Sequence, residues 1–191
     1  MINRLFENGL STLHLRKNDY PIAEVEKLLR SIHSEYHSRI IIHKHFSLLK
    51  EYDLAGIYVR PHKNEKIPSY IEKHHLKVSF CHNLDSLLEK DGKYDHLVLG
   101  PVFKSISNPQ IYYARYTQEE LKSFFSSQIF KSKILAIGGI NHFTADIAFK
   151  IGFDGVVSLG AVWAKYLECN DIDKTIEAFN KIRFTCLQLH N

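Results

Sequence analysis

Seven times along this chain a short run of β-branched or leucine residues is followed by a stretch of helical periodicity. The runs lie at residues 11–16, 39–43, 55–59, 77–81, 96–100, 133–137 and 154–158. Parallel strands cannot be joined by tight turns, so a strand-helix repeat reads as a parallel sheet whose crossovers are the helices. A doubly wound sheet and a closed barrel both satisfy that order. A dinucleotide-binding doubly wound sheet wants GxGxxG after its first strand, and none is present. The expectation is therefore an α/β fold of the TIM (β/α)8-barrel type.

The helix signals agree with the repeat. Ile22, Val25, Leu28, Leu29 and Ile32 form one amphipathic stripe, and Phe46, Leu48 and Leu49 predict a helix after the second run. Asn83 reads as a cap, with Leu84, Leu87 and Leu88 as the buried face behind it. Thr117-Gln-Glu-Glu120 is a capping-box pattern before Leu121, Phe124 and Phe125, and Ile176, Phe179 and Ile182 mark the last helix. No linker or low-complexity tract interrupts residues 1–191, which read as a single domain. The Pro/Ser/Tyr-rich stretch 101–116 is long for a βα loop, so it is a candidate lid.

Composition removes several classes of function. A chain of 191 residues buries about 70% of its unfolded surface, enough to fold without a staple. Its 3 cysteines, Cys81, Cys169 and Cys186, follow no disulfide or zinc spacing. The net charge of +4 comes from basic residues scattered among acids, which argues against nucleic acid. No run approaches the roughly 18 apolar residues of a membrane helix, and the first residues lack a signal peptide's apolar segment, so the expected place is the cytoplasm with no membrane partner.

Two glycine motifs carry the sharpest chemical signal. Ala136-Ile-Gly-Gly-Ile140 and Ser158-Leu-Gly-Ala-Val162 each end a strand run, where glycine lets backbone N–H groups approach a ligand, and the second leads into a helix N-terminus. In a barrel these are the loops after the last two strands, the usual phosphate cradle. Gly138, Gly139, Ser158 and Gly160 are the phosphate-binding candidates; the plainer alternative is that the glycines only make tight turns.

The run His96-Leu-Val-Leu-Gly-Pro-Val-Phe-Lys-Ser-Ile-Ser107, then Ala136-Ile-Gly-Gly-Ile140 and Gly152-Phe-Asp-Gly-Val-Val157, resembles the thiamin phosphate synthase and TenI-type thiazole tautomerase family. Leu13-His-Leu-Arg16 and Gly56-Ile-Tyr-Val59 are similar to that family's early strands, so the likeness covers nearly the whole chain. It implies an enzyme that binds a phosphorylated thiazole. The synthase branch couples a pyrimidine pyrophosphate to thiazole phosphate with magnesium. Its Gln, Arg and Lys along one strand fall at His14, Arg16 and Asn18, and its Asn-Asp falls at His43-Lys44. Its second magnesium carboxylate falls near Lys63, and its pyrophosphate-binding Ser and Lys at Phe80 and Asn108.

The tautomerase branch implies less: the same cradle, no metal, and a histidine after the fifth strand that moves a proton on a carboxythiazole phosphate. His82, in Phe80-Cys-His-Asn83, holds that position. An imidazole with an ordinary pKa near 6.5 can take and return a proton at neutral pH. The expectation is a tautomerase using His82, with no cofactor. A divergent synthase, which alone would bring in magnesium, and an inactive ligand-binding relative are the alternatives. His14, Arg16, His43, Ser105 and Ser107 are the substrate-contact candidates. His43 and His45 also have the spacing of two metal ligands in extended chain, but no third ligand stands out, so no metal is expected. The resemblance further implies a strand ahead of the helix at residues 2–9. The barrel is thus expected to lack its first strand, with exposed edges that a homo-oligomer would cover.

Overall fold

The computed structural model describes residues 1–60, 67–71, 73–104 and 114–189. Seven strands follow one another across a single sheet in sequence order, β1 to β7, and every pairing given below is parallel. The chain divides into two compact units, Met1–Ser79 and Phe80–Asn191.

The first unit holds α1 (Ile2–Glu7), β1 (Leu13–Leu15), α2 (Ile22–Arg30), β2 (Ile40–Ile42), β3 (Gly56–Val59) and most of β4 (Leu76–Cys81). β2 is a run of three isoleucines, none more than 1% exposed, as a strand covered on both faces requires. Helix α2 buries Val25 and Leu29 but leaves Ile22, its first residue, 43% exposed, so the predicted stripe narrows at its start. The helix expected after β2 is instead a 3-10 helix, Phe46–Lys50, entered through His45 in the left-handed region (φ 58°). It still buries Leu48 and Leu49. A second 3-10 helix, Ser34–Arg39, buries His37, whose Nε2 lies within hydrogen-bond reach of the Leu29 and Ile32 carbonyls.

The second unit continues with α3 (Leu84–Lys90), β5 (His96–Leu99), α4 (Gln118–Ser126), β6 (Lys133–Ile137), α5 (His142–Ile151), β7 (Gly155–Val157), α6 (Gly160–Cys169) and α7 (Ile172–Leu189). Its core gathers Leu87, Leu97, Leu121, Phe125, Ile134, Ala136 and Phe153. The two predicted caps form: Asn83 Oδ1 accepts from Ser86 N at 2.8 Å, and Thr117 Oγ1 accepts from Glu120 N at 3.2 Å. The buried face of α3 differs from the predicted one. Leu88 is 46% exposed, and the inward position one turn beyond Leu87 belongs to Lys90, 7% exposed. Asn170, in the left-handed conformation, ends α6 before α7 begins.

Candidate functional site

In the first unit the register pairs His14 with Ile41 and Ile41 with Gly56. Side chains alternate along a strand, so His14, Arg16, His43, Tyr58 and Arg60 fall on one face at the C-terminal ends of β1–β3. There His14 Nδ1 lies 3.1 Å from His43 Nε2, and the His43 ring stacks on Tyr58 with centroids 4.1 Å apart and planes 2° from parallel. His43 is 8% exposed. Burial, then the basic neighbours His14, Arg16 and Arg60, push its pKa down to about 3, so it is neutral across the physiological range. Its Nδ1 is buried with no hydrogen-bond partner among the described residues.

His43 and His45 do not converge. The His45 ring reaches the Tyr20 carbonyl at 2.8 Å while that of His43 reaches His14, and the turn at His45 separates them. Lys44, between them, donates from Nζ to the Asn18 carbonyl at 2.5 Å.

In the second unit His82 follows the last residue of β4, its ring exposed and edge-on to Phe80 at 4.5 Å. Helix α3 begins beyond it at Leu84, capped by Asn83, so His82 is a loop residue rather than a helical one. It lines a narrow cleft with Gly100, Pro101, Val102, Arg115 and Tyr116. The Tyr116 hydroxyl accepts from Leu84 N at 3.2 Å and so ties the cleft wall to the start of α3. Lys90 donates to the Phe80 carbonyl at 2.6 Å, fixing the end of the strand that presents His82.

Both glycines of the 138–139 loop have positive φ, 97° and 66°. A Cβ on Gly138 would stand 2.7 Å from that of Pro101, and one on Gly139 would meet the Lys104 carbonyl oxygen. Local packing therefore already requires glycine at both positions, as the plainer alternative has it. Ser158 Oγ donates to the Ile140 carbonyl at 3.3 Å and joins the two glycine loops. Helix α6 opens at Gly160 with Leu159 as its N-cap and no side-chain cap bond, which leaves its first N–H groups without a side-chain acceptor. Ser105 and Ser107 lie outside the described residues, as does most of the candidate lid.

Tyr58, Arg60 and Lys90 were not singled out from the sequence. Alternation along residues 55–60 carried the signal for the first two; nothing local distinguishes Lys90 from a solvated lysine.

The donor set tests the magnesium implied by the synthase branch. That ion takes oxygen ligands, usually carboxylates. Here the matching positions hold a neutral imidazole and an ammonium, and the charges acting on His43 are all basic. Among the described residues no group of three or more His, Cys, Asp or Glu could hold a metal. These residues do not fit magnesium.

The fold and these loops meet in one family. Residues 1–162 match the model of the TMP-TENI family, thiamine monophosphate synthase, and the chain belongs to that family. It is 26% identical over 190 residues to the thiamine-phosphate synthase of Pyrococcus furiosus, covering 95% of this chain and 86% of that one. A shorter match, 32% over 96 residues, joins 48% of this chain to 40% of the thiamine-phosphate synthase of Lysinibacillus sphaericus. The crystal structure of thiamine phosphate pyrophosphorylase from Bacteroides thetaiotaomicron superposes with a TM-score of 0.82 at 34% identity, over 97% of this chain and 88% of that one. Relatives named as synthases favour the synthase alternative over the tautomerase expectation. Among the described residues no helix is long and apolar enough to cross a membrane.

Proposed function

We propose that this chain is a transferase of thiamine biosynthesis that joins a phosphorylated thiazole to a pyrimidine diphosphate, on a (β/α)8-type scaffold. The observation that carries the reading is the likeness along 97% of the chain to a thiamine phosphate pyrophosphorylase. The seven strands in sequence order support the scaffold. The thiazole phosphate is assigned to the loops at Gly138–Gly139 and Ser158–Gly160, where the first turn of α6 offers N–H groups to an anion. In the coupling, a bond forms from the thiazole nitrogen to the pyrimidine's methylene carbon. The bond from that carbon to the diphosphate breaks, and the departing oxygen keeps the electron pair. The catalyst's task is to stabilise that charge.

A second reading, the TenI-like tautomerase, is favoured by the exposed ring of His82 beside the cleft at Gly100 and Tyr116. The two are separated by assaying the wild type and His82→Asn with the carboxythiazole phosphate tautomer alone and with the aromatic thiazole phosphate plus pyrimidine diphosphate. The synthase reading expects coupled product from both proteins. Isomerisation that is abolished in His82→Asn, without coupling, selects the tautomerase. Silence in both assays selects an inactive ligand-binding relative.

A further inference from the structure

The implied metal and the residues present disagree, and the disagreement has a definite chemical form. At the C-terminal ends of β1–β3 the groups are two guanidiniums, Arg16 and Arg60, and an imidazole pair, His14 and His43. Such a face repels a divalent cation and attracts an oxyanion. His43 adds a directional element. One of its nitrogens meets His14, and the other, Nδ1, is buried with no partner among the described residues on a side chain 8% exposed. A buried polar atom without a partner is rare in a native protein and signals a missing ligand atom or water.

We infer that this face, which carries Arg16, Arg60 and the buried Nδ1 of His43, binds a diphosphate group directly, with no divalent metal. The inference rests on the synthase reading for the identity of the natural ligand, the pyrimidine diphosphate. The guanidiniums offer paired N–H donors that match phosphate oxygens. The His14–His43 contact holds one proton between the two rings. When His14 supplies it, His43 carries its own proton on Nδ1 and becomes a donor to the anion; the parallel Tyr58 ring holds the imidazole in that plane. Arg16 and Arg60 thus supply the counter-charge that a metal supplies elsewhere.

The test uses inorganic pyrophosphate as the probe and calorimetric titration as the readout, so it is independent of turnover. Wild type is titrated in EDTA and again with excess magnesium, alongside Arg16→Gln, Arg60→Gln and His43→Phe. The expected result is binding in EDTA that magnesium does not strengthen. Each arginine variant should bind at least about tenfold more weakly, the scale of one charge-assisted hydrogen bond, and His43→Phe should also bind more weakly. The arginine variants replace side chains that are not buried, so they keep the test decisive if His43→Phe fails to fold. Binding that appears only with magnesium, arginine variants that bind like wild type, or no binding at all would each overturn the inference. Pyrophosphate binding in EDTA without any coupled product would leave this site standing while removing the synthase reading. Coupling that depends on magnesium would do the reverse.

Discussion

His14 Nδ1 and His43 Nε2 stand 3.1 Å apart although 29 residues separate them in the chain. The parallel register of β1 and β2 makes that contact, and Tyr58 from the next strand completes it by stacking on His43. Three adjacent strand ends thus present one aromatic and imidazole cluster, on the face to which alternation also assigns Arg16 and Arg60.

Acid should destabilise the protein through His43. Its folded pKa of about 3 lies below the ordinary value of 6.5, so between these values the unfolded chain binds a proton that the folded chain refuses. Stability is then fully present above pH 6.5 and falls as pH drops, by about 1.4 kcal/mol per unit from this one group. His96, also lowered by burial and then by Lys133, acts in the same direction. Urea unfolding at pH 7 and pH 5 should reveal a loss of about 2 kcal/mol from His43. That component should vanish in His43→Asn, and an unchanged pH slope would contradict it.

Replacing Gly139 with alanine forces a Cβ into a φ of 66° and against the Phe103 side chain and the Lys104 carbonyl oxygen. The strain should cost about 1–3 kcal/mol. Thermal melting would register it, and a neutral substitution would mean that the loop has room to move.

Lys90→Met keeps the aliphatic stem but leaves the Phe80 carbonyl without the ammonium that it accepts from. A loss of about 1–3 kcal/mol follows from removing a charged donor from a part-buried hydrogen bond. If stability is unchanged, Lys90 does not anchor the end of β4.

Asn141 accepts from the N–H groups of Phe143 and Thr144 at 2.8 and 3.1 Å and starts α5 directly behind the glycine loop. Asn141→Ala should cost about 1–2 kcal/mol in denaturant unfolding, as loss of a side-chain cap does. No effect would mean that water replaces the cap.

Much of the strand order was legible in the sequence because a buried parallel strand must be apolar and its crossover helix must be periodic. The caps at Asn83 and Thr117 were legible for the same local reason. What local pattern could not supply was anything set by register. The meeting of His14 with His43, the stacking of Tyr58 and the inward turn of Lys90 at the expense of Leu88 depend on which strands lie side by side and how a helix rolls on them. The resemblance located both glycine loops, but packing alone explains Gly138 and Gly139, so their anion-binding role is a separate question from their conformation.

The most direct test of the synthase reading is to incubate the purified protein with thiazole phosphate and pyrimidine diphosphate and follow the product by chromatography, in EDTA and with magnesium. The account predicts thiamine phosphate and released diphosphate in equal amounts, formed without added metal. No coupled product under either condition would contradict it.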